Sequence, residues 1–314
     1  MKKIALAIHG GAGTILRATM TSELEREYRS GLENALNVGW DVLSRGGSSL
    51  DAVEATVCAL EEFPLFNAGR GSVFTHEGKN EMDASIMDGK TNRAGAIAFV
   101  RNVKNPIRLA RLVMEKTPHI LLAAEGANEF AKQMAVEFAP DEYFFTEHRW
   151  KQLQDAIADG RVRLDHADDR RSEIANRKSL GTVGAVACDQ EGNLAAATST
   201  GGMTNKKFGR VGDTALIGAG TFAENETCAV SCTGHGEYFI IGVTAYDVAA
   251  RIKYKGLDLE RAANETLERL TETGGDGGFI AVDAEGNIVM PFNCDGMYRG
   301  YRTEDAQVVK IYRD

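Results

Sequence analysis

The chain has 314 residues, 43% of them hydrophobic and 26% charged, with a formal net charge of -9 at pH 7. That apolar share is enough for a substantial buried core, and the length admits one large domain or two ordinary ones. The acidic balance argues against a general affinity for nucleic acid or an anionic membrane.

No run approaches the roughly 20 apolar residues of a membrane span. The apolar run Ile4 to Ile8, behind Met1-Lys2-Lys3, is too short for the core of a signal peptide. The cytoplasm is therefore the expected location. Ile4 to Ile8 reads as a buried strand that runs into His9-Gly10-Gly11-Ala12-Gly13. Ser22 with Glu25 has the spacing of a capping box and opens an amphipathic helix to about Leu43, stopped by Gly46 and Gly47. Ser48 with Asp51 opens a second helix, which Pro64 ends. The stretch from Asn67 to Ala84, rich in glycine and polar residues, reads as a loop. Strands are expected around Ile86 and from Ala94 to Val100, joined at Asp88-Gly89. Helical patterns cover about Pro106 to Met114 and His119 to Phe138. From about residue 155 to 181 charge dominates and the hydrophobic period is lost, as expected of a solvated, mobile linker.

Beyond it, Val183 to Cys188 and Leu194 to Thr198 read as strands around Asp189-Gln190-Glu191-Gly192-Asn193. Phe279 to Val282 and Ile288 to Pro291 flank a turn of the same D-x-E-G-N pattern, Asp283 to Asn287, so each turn is expected to close a hairpin. Between them lie a strand, Cys228 to Cys232, and helices over about Glu237 to Lys253 and Leu259 to Thr271. Hairpins imply antiparallel pairing and two helical groups imply two covering layers, so an α+β fold, a four-layer αββα sandwich, is predicted.

Five cysteines include no C-x-x-C pair, so neither a zinc site nor a disulfide framework is indicated, and buried reduced thiols are expected. There is no G-x-S-x-G elbow, phosphate-binding G-x-x-x-x-G-K-[ST] loop or H-E-x-x-H pair. The glycines after His9 suit either close packing or direct ligand contact. Asn67, in Pro64-Leu65-Phe66-Asn67-Ala68-Gly69, suits either a turn or a buried polar hook.

Gly181-Thr182-Val183-Gly184 is more informative. A threonine hydroxyl needs a base, and if the bond before Thr182 breaks, its own α-amine can be that base, with a pKa of about 7.7–8.0 in model peptides. The dipeptide alone is commonplace. Around it, Thr198-Ser199-Thr200-Gly201-Gly202 ends the partner strand of the hairpin and brings hydroxyls back to the start of the first. Ser231-Cys232-Thr233-Gly234-His235-Gly236 ends another strand in a glycine turn that can aim an N–H and the Thr233 hydroxyl at an oxyanion. Arg210-Val211-Gly212-Asp213 can grip an amino acid by its α-carboxylate and α-ammonium. Arg210 and Asp213 can equally be a surface ion pair.

Together these segments closely resemble the plant-type asparaginases, also called isoaspartyl peptidases, of the N-terminal-nucleophile hydrolases. The resemblance runs almost end to end and covers His9 to Gly13, Pro64 to Gly69, Gly181 to Val186, Thr198 to Gly202, Gly209 to Asp213 and Thr233 to Gly236. It implies one domain cut between Gly181 and Thr182 into an α chain (1–181) and a β chain (182–314), assembling as a dimer of αβ heterodimers. It also implies hydrolysis of β-aspartyl dipeptides and L-asparagine. By position it implies Thr182 as nucleophile and Thr200 as its supporting neighbour. Thr233 and Gly234 would form the oxyanion hole, and Asn67 a polar anchor. Arg210, Val211, Gly212 and Asp213 would form the substrate clamp, with His235 and Gly236 nearby. His235 either tunes substrate preference or faces solvent. No catalytic cofactor is expected. The family tends to hold a structural sodium ion on backbone carbonyls, here in the segment of Leu60, Glu61, Phe63, Phe66, Ala68 and Arg70. A threonine endopeptidase of the same superfamily and a non-catalytic binding protein on this fold are the alternatives.

Overall fold

The computed structural model describes residues 3–160 and 181–313. The first part runs β1 (Ala5–Gly13), α1 (Ser22–Ser44), α2 (Ser49–Glu62), β2 (Met82–Asp88), β3 (Arg93–Val100) and α3 (Pro106–Lys116). It continues through β4 (Leu121–Ala123), α4 (Ala124–Gln133), α5 (Asp141–Phe144) and α6 (Glu147–Ala158). The second part holds β5 (Val183–Cys188), β6 (Leu194–Thr200), β7 (Thr221–Ala223), β8 (Ala229–Gly234), α7 (Gly236–Gly242), α8 (Thr244–Lys255) and α9 (Leu259–Glu272). It closes with β9 (Gly277–Val282), β10 (Ile288–Val289), β11 (Gly296–Thr303) and β12 (Gln307–Tyr312).

Two sheets form, one in the order β12-β11-β1-β5-β6-β2-β3-β4 and one in the order β10-β9-β8-β7. Strand side chains alternate between faces, and the sequence uses both. On β1 and β5, Leu6, Ile8, Val183, Ala185 and Ala187 pack against Leu32, Leu36, Val53 and Val57 of α1 and α2. Their neighbours Ala5, Ala7, Val186 and Cys188 meet Ala229, Ile280 and Val282 of the small sheet. The far face of that sheet, with Val230, Cys232, Phe279 and Ala281, is covered by Phe239, Val248 and Ala263 of α7, α8 and α9. The result is the predicted four-layer αββα sandwich.

Both D-x-E-G-N segments close antiparallel hairpins, β5–β6 and β9–β10. In each, the aspartate Oδ1 accepts two backbone N–H groups, from Glu191 and Asn193 and from Glu285 and Asn287, at 2.9–3.0 Å. Gly192 and Gly286 supply the positive φ, 81° and 80°, that the turn demands. All five cysteines are free thiols; Cys294 alone is half-buried and the other four are buried. Among the described residues no helix is long and apolar enough to cross a membrane.

Several expectations need correction. Strand β1 does not stop at Ile8 but runs through Gly13, with a register shift between His9 and Gly11. Thr21, not Ser22, caps α1, accepting the Leu24 N–H. The pattern from His119 to Phe138 holds the short parallel strand β4 before a helix that ends at Gln133. The expected helix over 237–253 is two, broken at Val243, whose φ of 47° is left-handed. Residues 155–158 of the expected linker belong to α6, where Ala156 is buried; residues 161–180 lie outside the described residues.

Candidate active site

The β5–β6 hairpin sets the geometry. Its register puts Gly184 opposite Thr198 and Val183 opposite Ser199, so Thr182 and Thr200 close the ladder side by side. The Thr182 hydroxyl donates to Thr200 Oγ1 at 3.2 Å, and Thr182 is 9% exposed. Thr200 Oγ1 also accepts the Gly202 N–H at 3.0 Å. Asn67 is the buried hook: its Nδ2 donates to Gly202 O at 2.8 Å, and its Oδ1 accepts from the Val73 N–H at 3.0 Å.

His9 is a residue whose role the sequence left open. Its Nδ1 lies 3.0 Å from Thr182 O, an atom that can only accept, so Nδ1 carries the proton. Nε2 then accepts from the Ser231 hydroxyl at 2.9 Å. Burial pushes the imidazole pKa down to about 3, against the pull of Thr182 O, so the ring is neutral at pH 7. Behind Ser231 a file of hydroxyls crosses between the sheets: Thr198 at 2.7 Å, then Thr221 at 2.5 Å, then Ser85 at 2.8 Å. β5 and β8 approach closely here because Gly184 has no side chain; a Cβ would fall 2.0 Å from Ser231 Oγ.

A small cavity of about 20 Å³ is lined by Asn67, Gly181, Thr182, Thr200, Gly202, Arg210, Gly212, Asp213 and Gly234, among others. Most of the sequence-predicted residues therefore converge. Val211, Thr233, His235 and Gly236 do not line it. Gly236 nonetheless abuts both Arg210 and Asp213, since a Cβ there would sit 2.8 Å from Asp213 Oδ1 and 2.9 Å from an Arg210 nitrogen. Thr233 is fully buried one residue before Gly234, and its hydroxyl has no hydrogen-bond partner. Buried polar atoms are nearly always paired, which sets this hydroxyl apart.

The surface ion pair of Arg210 with Asp213 is not what forms. Arg210 is 18% exposed and binds Glu237 through two nitrogens, each at 2.9 Å. Asp213 is 4% exposed and its Oδ2 is buried without a partner. Burial pushes its carboxyl pKa up to about 7, opposed by the nearby Arg210 charge. Sequence reasoning missed Glu237, and its signal was the lone carboxylate just after Thr233-Gly234-His235-Gly236 at the head of an apolar helix. His235 Nε2 lies 3.4 Å from Glu237, and the ring meets Tyr238 edge-on at 4.8 Å.

The arrangement offers a threonine hydroxyl, a second hydroxyl, an arginine and a buried aspartate around one cavity, with the unpartnered Thr233 hydroxyl next to its Gly234 wall. Comparison with known proteins agrees. The family model described as asparaginase matches residues 2–311. The isoaspartyl peptidase of Salmonella typhimurium strain LT2 is 50% identical, with 100% of both chains covered. That of Escherichia coli K12 is 49% identical over 100% of this chain and 98% of its own. The isoaspartyl peptidase/L-asparaginase of Xenopus laevis is 44% identical over 99% of this chain and 96% of its own. A match of this extent, together with the αββα sandwich, means that the chain belongs to the asparaginase family.

Proposed function

We propose that the chain hydrolyses β-aspartyl amides, releasing L-aspartate from β-aspartyl dipeptides and L-asparagine, with Thr182 as nucleophile after self-cleavage between Gly181 and Thr182. The observation that carries this is the Thr182 hydroxyl, 3.2 Å from that of Thr200, on a cavity shared with Arg210 and Asp213. Once cut, the Thr182 α-amine takes the hydroxyl proton while Oγ attacks the side-chain carbonyl of the substrate. The Thr233 hydroxyl and Gly234 N–H hold the oxyanion. Arg210 takes the α-carboxylate and Asp213 the α-ammonium. The amine leaves with the proton, and water releases aspartate from the Thr182 ester.

The small cavity supports the order of events. In the continuous chain Gly181 is one of its walls, and about 20 Å³ holds no more than one water. Cleavage would make the room that an amino-acid substrate needs. A clamp for a free α-amino and α-carboxyl group disfavours the endopeptidase alternative, and the buried, unpartnered Asp213 Oδ2 on the cavity wall disfavours a purely scaffolding role.

The chain is proposed to act as one domain in two pieces, residues 1–181 and 182–314, assembled as a dimer of αβ heterodimers in the cytoplasm. A structural sodium ion remains a proposal for the turn after α2. There the carbonyls of Leu60, Phe63, Phe66 and Ala68 each accept one N–H at 3.0–3.3 Å and keep a second lone pair for a cation. Glu61 O and Arg70 O would complete such a set, and no reaction step runs through it.

Denaturing gel electrophoresis tests the core of the proposal. Wild type should give two bands, and Thr182→Ala a single band with no hydrolysis of β-aspartyl dipeptides. Full activity in a chain that never splits would remove Thr182 from the role.

A further inference from the structure

We propose that Lys206 is a positioning residue for this reaction: its buried amino group holds the Thr200–Gly201–Gly202 turn so that the Thr200 hydroxyl stays against Thr182. The inference rests on the function proposed above and assigns a role to a residue outside the catalytic set.

Lys206 is 2% exposed. Its Nζ donates to Gly201 O at 3.0 Å and to Glu81 O at 2.8 Å, tying the turn to the segment that leads into β2. The stem passes close under Gly202, where a Cβ would sit 3.1 Å from Nζ. The residue is itself held from behind, since its carbonyl accepts the His76 N–H at 3.0 Å and its N–H reaches Met203 O at 3.2 Å. Beside it Asp83 stands opposite Thr200 in the β2–β6 register. Asp83 Oδ1 accepts the Phe99 N–H at 2.9 Å, and Oδ2 is buried with no hydrogen-bond partner.

Burying an amine costs several kcal/mol unless it is paired and hydrogen-bonded, and an apolar side chain of similar length fills the same space without that cost. What the amine adds is the grip on two carbonyls. The Gly201 carbonyl shares one peptide plane with the Gly202 N–H, which donates to Thr200 Oγ1 at 3.0 Å, so fixing that carbonyl fixes the N–H that holds the Thr200 hydroxyl beside Thr182. The remaining ties of the turn come from Asn67, through Gly201 N–H to Asn67 O at 3.1 Å and Asn67 Nδ2 to Gly202 O at 2.8 Å. Lys206 and Asn67 thus hold the turn from two sides.

The test compares Lys206→Met with wild type, on fully processed protein and a β-aspartyl dipeptide. A loss of positioning should lower kcat about 10- to 100-fold and leave KM within about threefold. A double-mutant cycle with Thr200→Ala reads the route: in that background Lys206→Met should cost no more than about threefold further. Circular dichroism and a melting curve establish that each variant is folded. Where Lys206→Met fails to fold, Lys206→Leu, which also removes the donor to Gly201 O, is read by the same criteria. A rise in KM with kcat unchanged overturns the inference, as does a full loss that persists without the Thr200 hydroxyl. A wild type without β-aspartyl hydrolysis would remove the proposed function itself, an outcome seen before any variant is made.

Discussion

Asp213 offers a test with a worked magnitude. Its carboxyl must be ionised to hold an α-ammonium, yet burial pushes its pKa up to about 7. Protonation of the free enzyme should therefore raise the apparent KM for a β-aspartyl dipeptide as pH falls, about 11-fold at pH 6 and about 100-fold at pH 5 relative to the alkaline plateau. The same group bears on stability. An aspartate ordinarily titrates at 3.8, so between that value and about 7 the folded chain keeps a proton that the unfolded chain has released. Stability then falls as pH rises through that window and levels off above it. Three pH units at about 1.4 kcal/mol each set a ceiling of about 4 kcal/mol. Asp213→Asn should raise KM, flatten its pH dependence, and raise Tm more at pH 8 than at pH 4. Steady-state kinetics from pH 5 to 8.5 and melting curves at the two ends measure all three. A wild-type KM that stays flat across this range, or an Asn variant that matches wild type at pH 8, would refute the assignment.

Glu237→Gln leaves Arg210 without its two-nitrogen partner. Because the Glu237 side chain is 45% exposed, water makes up part of the loss. KM should rise about 3- to 10-fold with little change in kcat, and an unchanged KM would separate Glu237 from the clamp. Gly184→Ala places a Cβ 2.0 Å from Ser231 Oγ and 2.5 Å from His9 Nε2. That crowding should cost about 1–3 kcal/mol and slow self-cleavage in a gel time course, because His9 would lose its hold on Thr182 O. Cleavage at the wild-type rate would show that the His9–Ser231 contact is dispensable.

Much of the frame was legible because local chemistry and tertiary role coincide. α1 and α2 carry an apolar stripe with glycine or proline at the end, and Ser48 with Asp51 forms a reciprocal cap. The D-x-E-G-N turns write their own hydrogen bonds into the sequence. β11 was not legible, because Arg299 interrupts the apolar pattern of a buried strand, and β12 beside it is a partly exposed edge strand. The Arg299 guanidinium is accommodated by the carbonyls of Met297 and Tyr312, each at 3.0 Å, and by the ring of Phe292 at 4.6 Å, none of which is local information. β4 is three largely exposed residues at a sheet edge, too few to carry a period. The break at Val243 needs a left-handed φ that a β-branched residue resists, so local propensity gives no sign of it.

At the site the short motifs named Thr182, Thr200, Arg210 and Asp213. The roles of His9, Glu237 and Lys206 emerge only where distant segments meet. His9 and Thr182 are 173 positions apart, and Arg210 and Glu237 are 27 apart.

The strand order of the large sheet has one more consequence. Read across it, β12 and β11 come after residue 181, β1 before it, β5 and β6 after it, and β2, β3 and β4 before it. A cut ahead of Thr182 therefore yields two pieces interlaced like fingers, not two bodies resting against each other. Neither can depart without unzipping the middle of the sheet. Breaking the one peptide bond would thus leave the molecule whole while making its history one-way. The separated pieces, one holding β1 with neither neighbour and the other holding the β12–β11 and β5–β6 pairs with open edges, would have no ready path back.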